Sequence, residues 1–350
     1  MITVVNISDR QVGPEQPCFI IAEAGVNHNG DLGMARQLVD VAARAGADAV
    51  KFQTFIAEKV VSPAAPKAAY QMETTDTGES QLDMVKRLEL PFDAFRELYD
   101  YCQAKDILFM STPFDKESVD FLADLGVAVF KIPSGEITNL PFLTHVACKG
   151  KPMIVSTGMS YLGEVEAAVR TIEEAGNHDF VLLHCVSNYP ADPADVNLRA
   201  MQTLAMAFGV PVGYSDHTTG IEVALAAVVM GACVIEKHFT LDRSLPGPDH
   251  RASLEPGELT ALVRGIRTVE ASLGHGRKEP AASEANTAAV ARKSLVAAQD
   301  ISAETQLTRD LVAIMRPGTG LPPTALPYLL DRTVRVDVPA GTLFNLEMFD

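Results

Sequence analysis

The chain has 350 residues, 47% apolar and 21% charged, a balance that excludes disordered and fibrous proteins. Its formal charge of -16 argues against a nucleic-acid partner, because phosphate backbones are bound by clustered Lys and Arg, but leaves room for a small anion held by a few local cations. The longest uncharged apolar run, Val223 to Ile235, is too short for a bilayer, which takes roughly 20 residues. Asp9 and Arg10 interrupt what would have to be a signal core, so no export signal is read and no membrane is expected. Five scattered cysteines, Cys18, Cys102, Cys148, Cys185 and Cys233, show no CxxC spacing and predict buried, reduced thiols in a cytoplasmic protein.

Eight short apolar runs read as strands: Phe19–Glu23, Ala49–Gln53, Ile107–Ser111, Ala128–Ile132, Met153–Thr157, Phe180–Cys185, Pro211–Tyr214 and Cys233–His238. Eight helix-like patterns follow them in turn: Leu32–Ala45, Phe92–Ala104, Lys116–Leu125, Leu140–Cys148, Tyr161–Ala175, Val196–Phe208, Ile221–Met230 and Glu258–Leu273. Strict alternation of this kind predicts an α/β protein, a parallel (β/α)8 TIM barrel over 1–273. One spacing is about double the others. Its surplus, Ile56 to Leu90, is polar and broken by Pro63 and Pro66, and reads as an excursion from the second βα connection on the catalytic face. Residues 274–291 read as a linker, and 292–350 as a small β-rich domain. That domain holds an internal repeat, with Asp300 to Leu311 matching Asp337 to Met348, which predicts two strand–turn–short-helix units related by pseudo-symmetry.

Polar residues collect where the barrel strands end. They are Glu23; Lys51 and Gln53; Ser111 and Thr112; Lys131, Ser134 and Glu136; Ser156; His184, Ser187 and Tyr189; Ser215, Asp216 and His217; Glu236, Lys237 and His238. A charged residue inside an apolar strand is expensive to bury unpaired, so its presence at nearly every terminus points to a site. His217 and His238 end neighbouring strands, about 4.8 Å apart in a barrel. Two imidazoles so placed, with Glu23 nearby on the ring, can share a divalent ion and leave positions open for substrate. Lys51 and Lys131, with the hydroxyls of Ser134, Ser156 and Ser215, suit a phosphate or carboxylate and would make a local positive island. The alternative is a closed network pairing Lys51 and Lys131 with Glu23 and Glu136. There is no P-loop, no GxGxxG after a strand and no serine nucleophile elbow.

The strings IAEAGVNHNGD, AVKFQTF, STPFD, KIPSGEI, VSTGMS, GYSDHT and IEKHFTLDRSLPGPDH, with MRPGTG near the end, resemble the sialic acid synthase family in the same order over nearly the whole chain. The resemblance implies a (β/α)8 barrel joined to an antifreeze-like (SAF) domain. It implies condensation of phosphoenolpyruvate (PEP) with an N-acetylated amino-sugar aldehyde, giving a nine-carbon 2-keto acid and phosphate. By that likeness His217 and His238 hold Mn2+ or Mg2+ with Glu23 beside it. Lys51, Lys131, Ser134, Ser156 and Ser215 contact PEP, while Gln53, Tyr189 and Asp249 contact the acceptor or its surroundings. Thr112 and Ser187 complete the expected substrate-binding set, and Glu136 is a further active-site acid. Arg316 is expected to reach the partner subunit's barrel in a domain-swapped homodimer. Ser187 stands where some relatives carry Asn, which leaves open whether the acceptor is N-acetylmannosamine or a 2,4-diacetamido-trideoxy hexose, the legionaminic acid alternative. The segment MVKRLELPFDAF is closer to the sialic and legionaminic branches than to the pseudaminic one. A carbohydrate- or ice-binding module and a class II aldolase are the rivals from other classes.

Overall fold

The structure, a computed structural model, describes residues 4–68, 71–72, 75–76 and 78–350. It divides into two compact units, Met1–Gly274 and His275–Asp350.

The first unit opens with an antiparallel hairpin, β1 (Val5–Ile7) and β2 (Arg10–Val12). Eight parallel strands follow: β3 (Phe19–Gly25), β4 (Ala49–Thr54), β5 (Leu108–Pro113), β6 (Phe130–Ile132), β7 (Met153–Ser156), β8 (Phe180–Cys185), β9 (Val212–Asp216) and β10 (Val234–His238). They pair in the order β5-β4-β3-β10-β9-β8-β7-β6, and β5 packs against β6 to close the ring. All eight expected strands and the helices between them are present, with ends shifted by a few residues. The helices Leu32–Ala45, Phe92–Ala104 and Lys116–Leu125 keep the bounds read from sequence. Asp31 and Asp115 explain two of those starts, since each side chain accepts a bond from a first-turn amide, at 2.7 Å.

Period-two alternation sorts each strand into an outward and an inward set. Outward residues such as Ile20, Ala22, Val50, Phe52 and Ile235 pack under the helices in the main core. Inward residues form two layers. The lower one is apolar: Phe19, Ile21, Ala49, Met110, Ile154, Val181, Leu183 and Val234 pack together with Val5, Ile7 and Val12 of the hairpin. The hairpin, which the sequence reading did not anticipate, therefore plugs the floor of the barrel with three buried aliphatic side chains. Two residues further along each strand the inward positions turn polar. The same alternation that builds the core thus delivers Glu23, Lys51, Lys131, Ser156, Ser215 and Glu236 to one rim.

The excursion after β4 carries the helices Ala57–Val60 and Gln81–Leu88. Ala69, Tyr70, Glu73, Thr74 and Thr77 of the expected excursion lie outside the described residues. Among the described residues no helix is long and apolar enough to cross a membrane. All five cysteines are free; four are buried as expected, but Cys148 is exposed, because it caps the helix Leu140–Ala147 on its outer end.

The second unit pairs β11 (Ser294–Ala297) antiparallel with β12 (Val312–Met315). Its repeat is reciprocal in structure. Ala303 N–H donates to Asp337 at 2.7 Å and Ala340 N–H to Asp300 at 2.8 Å, while Ile301 and Val338 exchange backbone bonds. Each copy ends in a short 3-10 turn, Arg309–Leu311 and Leu346–Met348. The repeated Asp thus accepts a backbone N–H from the other copy, which is why it recurs.

Candidate active site

Strand register decides which polar groups meet. Glu23 on β3 lies opposite Lys51 on β4 and opposite His238 on β10, and Glu236 on β10 lies opposite Ser215 on β9. The inward side chains form a continuous network. Lys51 Nζ is 2.5 Å from Glu23 Oε2 and 3.6 Å from Glu236 Oε2, and donates to Thr112 Oγ1 at 2.9 Å. Lys131 Nζ is 3.3 Å from Glu236 Oε1 and donates to Ser156 Oγ at 2.8 Å. Ser215 Oγ donates to Glu236 Oε1 at 2.7 Å. All four charged side chains are 5% exposed or less, so each ion needs the others.

Glu236 is the residue whose role the sequence reading missed. It takes the place expected of Glu136, which the structure does not bring into the cavity. Glu136 sits in the 3-10 turn Ser134–Glu136, where its carboxylate accepts from Asn139 Nδ2 at 2.6 Å. The signal for Glu236 was present: it stands two residues before His238, on the same face of the same strand. Lys237 between them faces outward and is paired with Asp216 at 2.7 Å, a structural ion pair between barrel and helices. His184 is likewise structural, its Nε2 bonded to the Val196 carbonyl at 2.6 Å.

The expected positive island is also corrected. Two ammonium groups are met by two carboxylates, with a third, Asp249, beside His238 at 3.9 Å. Burial raises the Glu23 carboxyl, with Lys51 opposing. Burial pushes Glu236 up as well, but Lys131 and Lys51 outweigh it and hold that carboxyl below its usual range. Burial raises Asp249 to about 6. The rim is therefore near neutral, and can take up protons as an anion enters.

His217 and His238 stand with ring centroids 5.5 Å apart. Burial lowers His217 to about 4 and His238 well below the ordinary imidazole value, His217 adding to the effect on His238. Both rings are thus neutral at pH 7, the ligating form. His217 Nδ1–H donates to the Val186 carbonyl at 2.6 Å, which fixes the ring and leaves Nε2 as the lone-pair nitrogen. His238 Nδ1 is buried without a hydrogen-bond partner among the described residues. Gly25, at φ +52°, brings backbone so close that a Cβ there would lie 3.2 Å from Glu23 and 3.5 Å from the His238 ring. Among the described residues no three His, Cys, Asp or Glu side chains form a ready metal cluster. Two neutral imidazoles, one of them with an orphaned Nδ1, next to carboxylates nevertheless suit a divalent ion that completes its sphere with water or substrate.

Tyr189 packs on His217 with the ring centroids 4.2 Å apart and the planes tilted by 37°, and meets His238 edge-on at 5.5 Å. Gln53 Nε2 is 3.5 Å from Glu23 Oε1. Ser134 Oγ accepts from the Gly158 amide at 3.0 Å and lies 3.1 Å from Cys185 Sγ, with Ser187 adjoining Gly158. Tyr189, His217, His238, Gln53, Glu23, Ser134, Cys185 and Ser187, with Thr112 and Asp249, line one cavity of about 460 Å3. Of the expected site residues only Glu136 and Arg316 fall outside its lining; Arg316 belongs to the second unit, where it is exposed after β12.

The chain has similar sequences and a similar solved structure. The chain is 50% identical over 334 residues, 94% of each chain, to the N,N'-diacetyllegionaminic acid synthase of Legionella pneumophila. It is 38% identical over 343 residues to the human N-acetylneuraminate-9-phosphate synthase, covering 97% of this chain and 95% of that one. A solved N-acetylneuraminic acid (sialic acid) synthetase from Leptospira borgpetersenii, in complex with citrate, superposes with a TM-score of 0.72 at 40% identity over 82% of this chain and 95% of that one. The SAF domain matches residues 292–350 and the NeuB family residues 38–278, the stretch that supplies every cavity-lining group above except those of β3 and its following loop. On this barrel, this rim and these likenesses, the chain belongs to the NeuB family.

Proposed function

We propose that the protein condenses PEP with an N-acetylated amino-sugar aldehyde, N-acetylmannosamine or its 2,4-diacetamido-trideoxy counterpart, to a nine-carbon 2-keto sugar acid and phosphate. One observation carries the reading: two buried lysines interleaved with two buried carboxylates at the barrel rim, beside two neutral imidazoles. Lys51 and Lys131, with Ser134, Ser156 and Ser215, hold the phosphate and carboxylate of PEP. The incoming anion competes with Glu23 and Glu236 for the same ammonium groups. Glu23, whose carboxyl is raised by burial, is the one suited to accept a proton during the reaction.

The bond changes follow from the substrates. The PEP methylene carbon bonds to the aldehyde carbon, water adds to the former enol carbon, and phosphate departs with its carbon–oxygen bond broken. Glu23 sits where it can place that water and accept its proton. Tyr189, Gln53 and Asp249 orient the sugar over His217 and His238. We place Mn2+ or Mg2+ on these two imidazoles; when bound, such an ion supplies a Lewis acid beside the aldehyde. The chain's free cysteines fit a reducing cytoplasm. The acting unit we propose is a homodimer in which Arg316 serves the partner's acceptor site.

Incubation with PEP and each amino sugar, read by phosphate release and by mass spectrometry of the sugar acid, tests the reaction. Equal amounts of phosphate and keto acid are expected. PEP consumed without a sugar acid contradicts the reading.

A further inference from the structure

The cavity has two halves of opposite character. The half described above is polar. The other half is walled by Val26, Phe55, Met84, Val85, Leu88 and Phe114, and among these Val26, Phe55, Leu88, Val85 and Phe114 pack on one another as a small separate core. Met84 is 1% exposed and Leu88 3%, so the helix Gln81–Leu88 is seated firmly and presents a fixed surface. Its ends are tied down as well: Ser80 accepts from Asp83 N–H at 3.1 Å, Ala57 N–H donates to Glu89 at 2.8 Å, and Lys86 pairs with Glu58 at 2.5 Å. A half-cavity with so little polar lining does not serve an anion such as PEP.

Two glutamines, Gln71 and Gln81, break the apolar pattern, and Gln81 is the one left unpaired. Gln81 lines the cavity at the start of this helix, and its side-chain carbonyl is shut off from water with no hydrogen-bond partner among the described residues. It is not used as the helix cap, since Ser80 has that place. Leaving a buried carbonyl unpaired is costly, because it gives up its hydrogen bonds to water and gains none. A ligand N–H that reaches it recovers that cost, and an apolar group beside it finds aliphatic contact.

Resting on the reading of the reaction above, we propose that the helix Gln81–Leu88 selects the acceptor, Gln81 accepting the N–H of a second acetamido group while the Val85 and Leu88 side of the wall receives a methyl group in place of a hydroxymethyl. The acceptor class this fits is a 2,4-diacetamido-2,4,6-trideoxy hexose. A hydroxymethyl group on the same wall meets no donor or acceptor among its aliphatic side chains. Discrimination of this kind by an apolar pocket is worth about 10- to 100-fold.

The test measures kcat/KM for the diacetamido sugar and for N-acetylmannosamine, with the KM for PEP, in the full-length protein and in Gln81→Leu and Val85→Thr. The unaltered protein should prefer the diacetamido sugar by about 10- to 100-fold. Gln81→Leu should lower kcat/KM for that sugar by about 10-fold and leave both N-acetylmannosamine turnover and the KM for PEP in place. Val85→Thr should narrow the preference by improving the hydroxylated sugar. Preference for N-acetylmannosamine in the unaltered protein, or equal losses on both sugars in both variants, overturns the selection while the condensation stands. Consumption of PEP with neither sugar overturns the condensation itself and the selection with it.

Discussion

Lys51 and Glu23 face each other from neighbouring strands at 2.5 Å, at a rim where water is nearly excluded from both. The pair has two consequences. Removing either member leaves the other charge buried, and any anion drawn to Lys51 must compete with Glu23. Lys51→Met should therefore abolish PEP turnover and also destabilise the fold by about 3 kcal/mol, seen as a lower urea midpoint at pH 7. An unchanged midpoint would show that Glu23 is solvated.

Gly158 marks a second point of close approach. A Cβ there would lie 2.4 Å from Ser187 Oγ, 2.8 Å from Ser134 Oγ and 2.9 Å from Cys185 Sγ. Gly158→Ala should displace these groups within the cavity, raising the KM for PEP through Ser134 by about 10-fold or more, equivalent to ~1.4 kcal/mol. Steady-state kinetics with PEP varied checks this; an unchanged KM for PEP would contradict it.

Acid stability follows from His28. Burial drives its imidazole down from 6.5 to about 4, and its Nδ1 accepts from the Gly30 amide at 3.0 Å. The folded state keeps the ring neutral while the unfolded chain protonates it near 6.5. Stability from this group is full above that pH and is lost as pH falls from 6.5 towards 4, by at most about 3 kcal/mol. His28→Asn should flatten the fall of the urea midpoint over that window by close to one proton's worth. A slope equal to that of the unaltered protein would contradict the assignment.

Metal binding has its own readout. Titration of Mn2+ followed by electron paramagnetic resonance should show a bound ion in the chelator-stripped protein, and loss of most of that signal in His217→Ala and in His238→Ala. Retention of the ion by both variants would move the metal elsewhere.

The proposed dimer predicts complementation. A chain with Arg316→Ala mixed with one carrying Lys51→Met should recover part of the activity through hybrid dimers in which one site has both residues intact. No recovery, once subunit exchange is shown by native mass spectrometry, would count against a shared site.

Much of this was legible in the sequence because strand periodicity and polar strand ends are local signals. His217 and His238 were paired from their places on adjacent strands, and Lys51 and Lys131 from the oddity of a lysine in an apolar run. Glu136 was named from the family likeness, while Glu236 was placed at a strand end without a role. A 3-10 turn holds Glu136 outside the cavity lining, and only the inward-facing parity of β10 reveals Glu236. The floor-plugging hairpin escaped notice because its strands are only three residues each, too short for a periodic signal. Repeat symmetry in the second unit was readable because each copy keeps the Asp that accepts a backbone N–H from the other.

The central claim is carbon–oxygen cleavage of PEP driven by an amino-sugar acceptor at this rim. PEP labelled with 18O in its bridging oxygen, incubated with the diacetamido sugar and with N-acetylmannosamine, tests it most directly. The account predicts acceptor-dependent phosphate that carries the label, matched by nine-carbon keto acid. Unlabelled phosphate, or release that ignores both sugars, would contradict it.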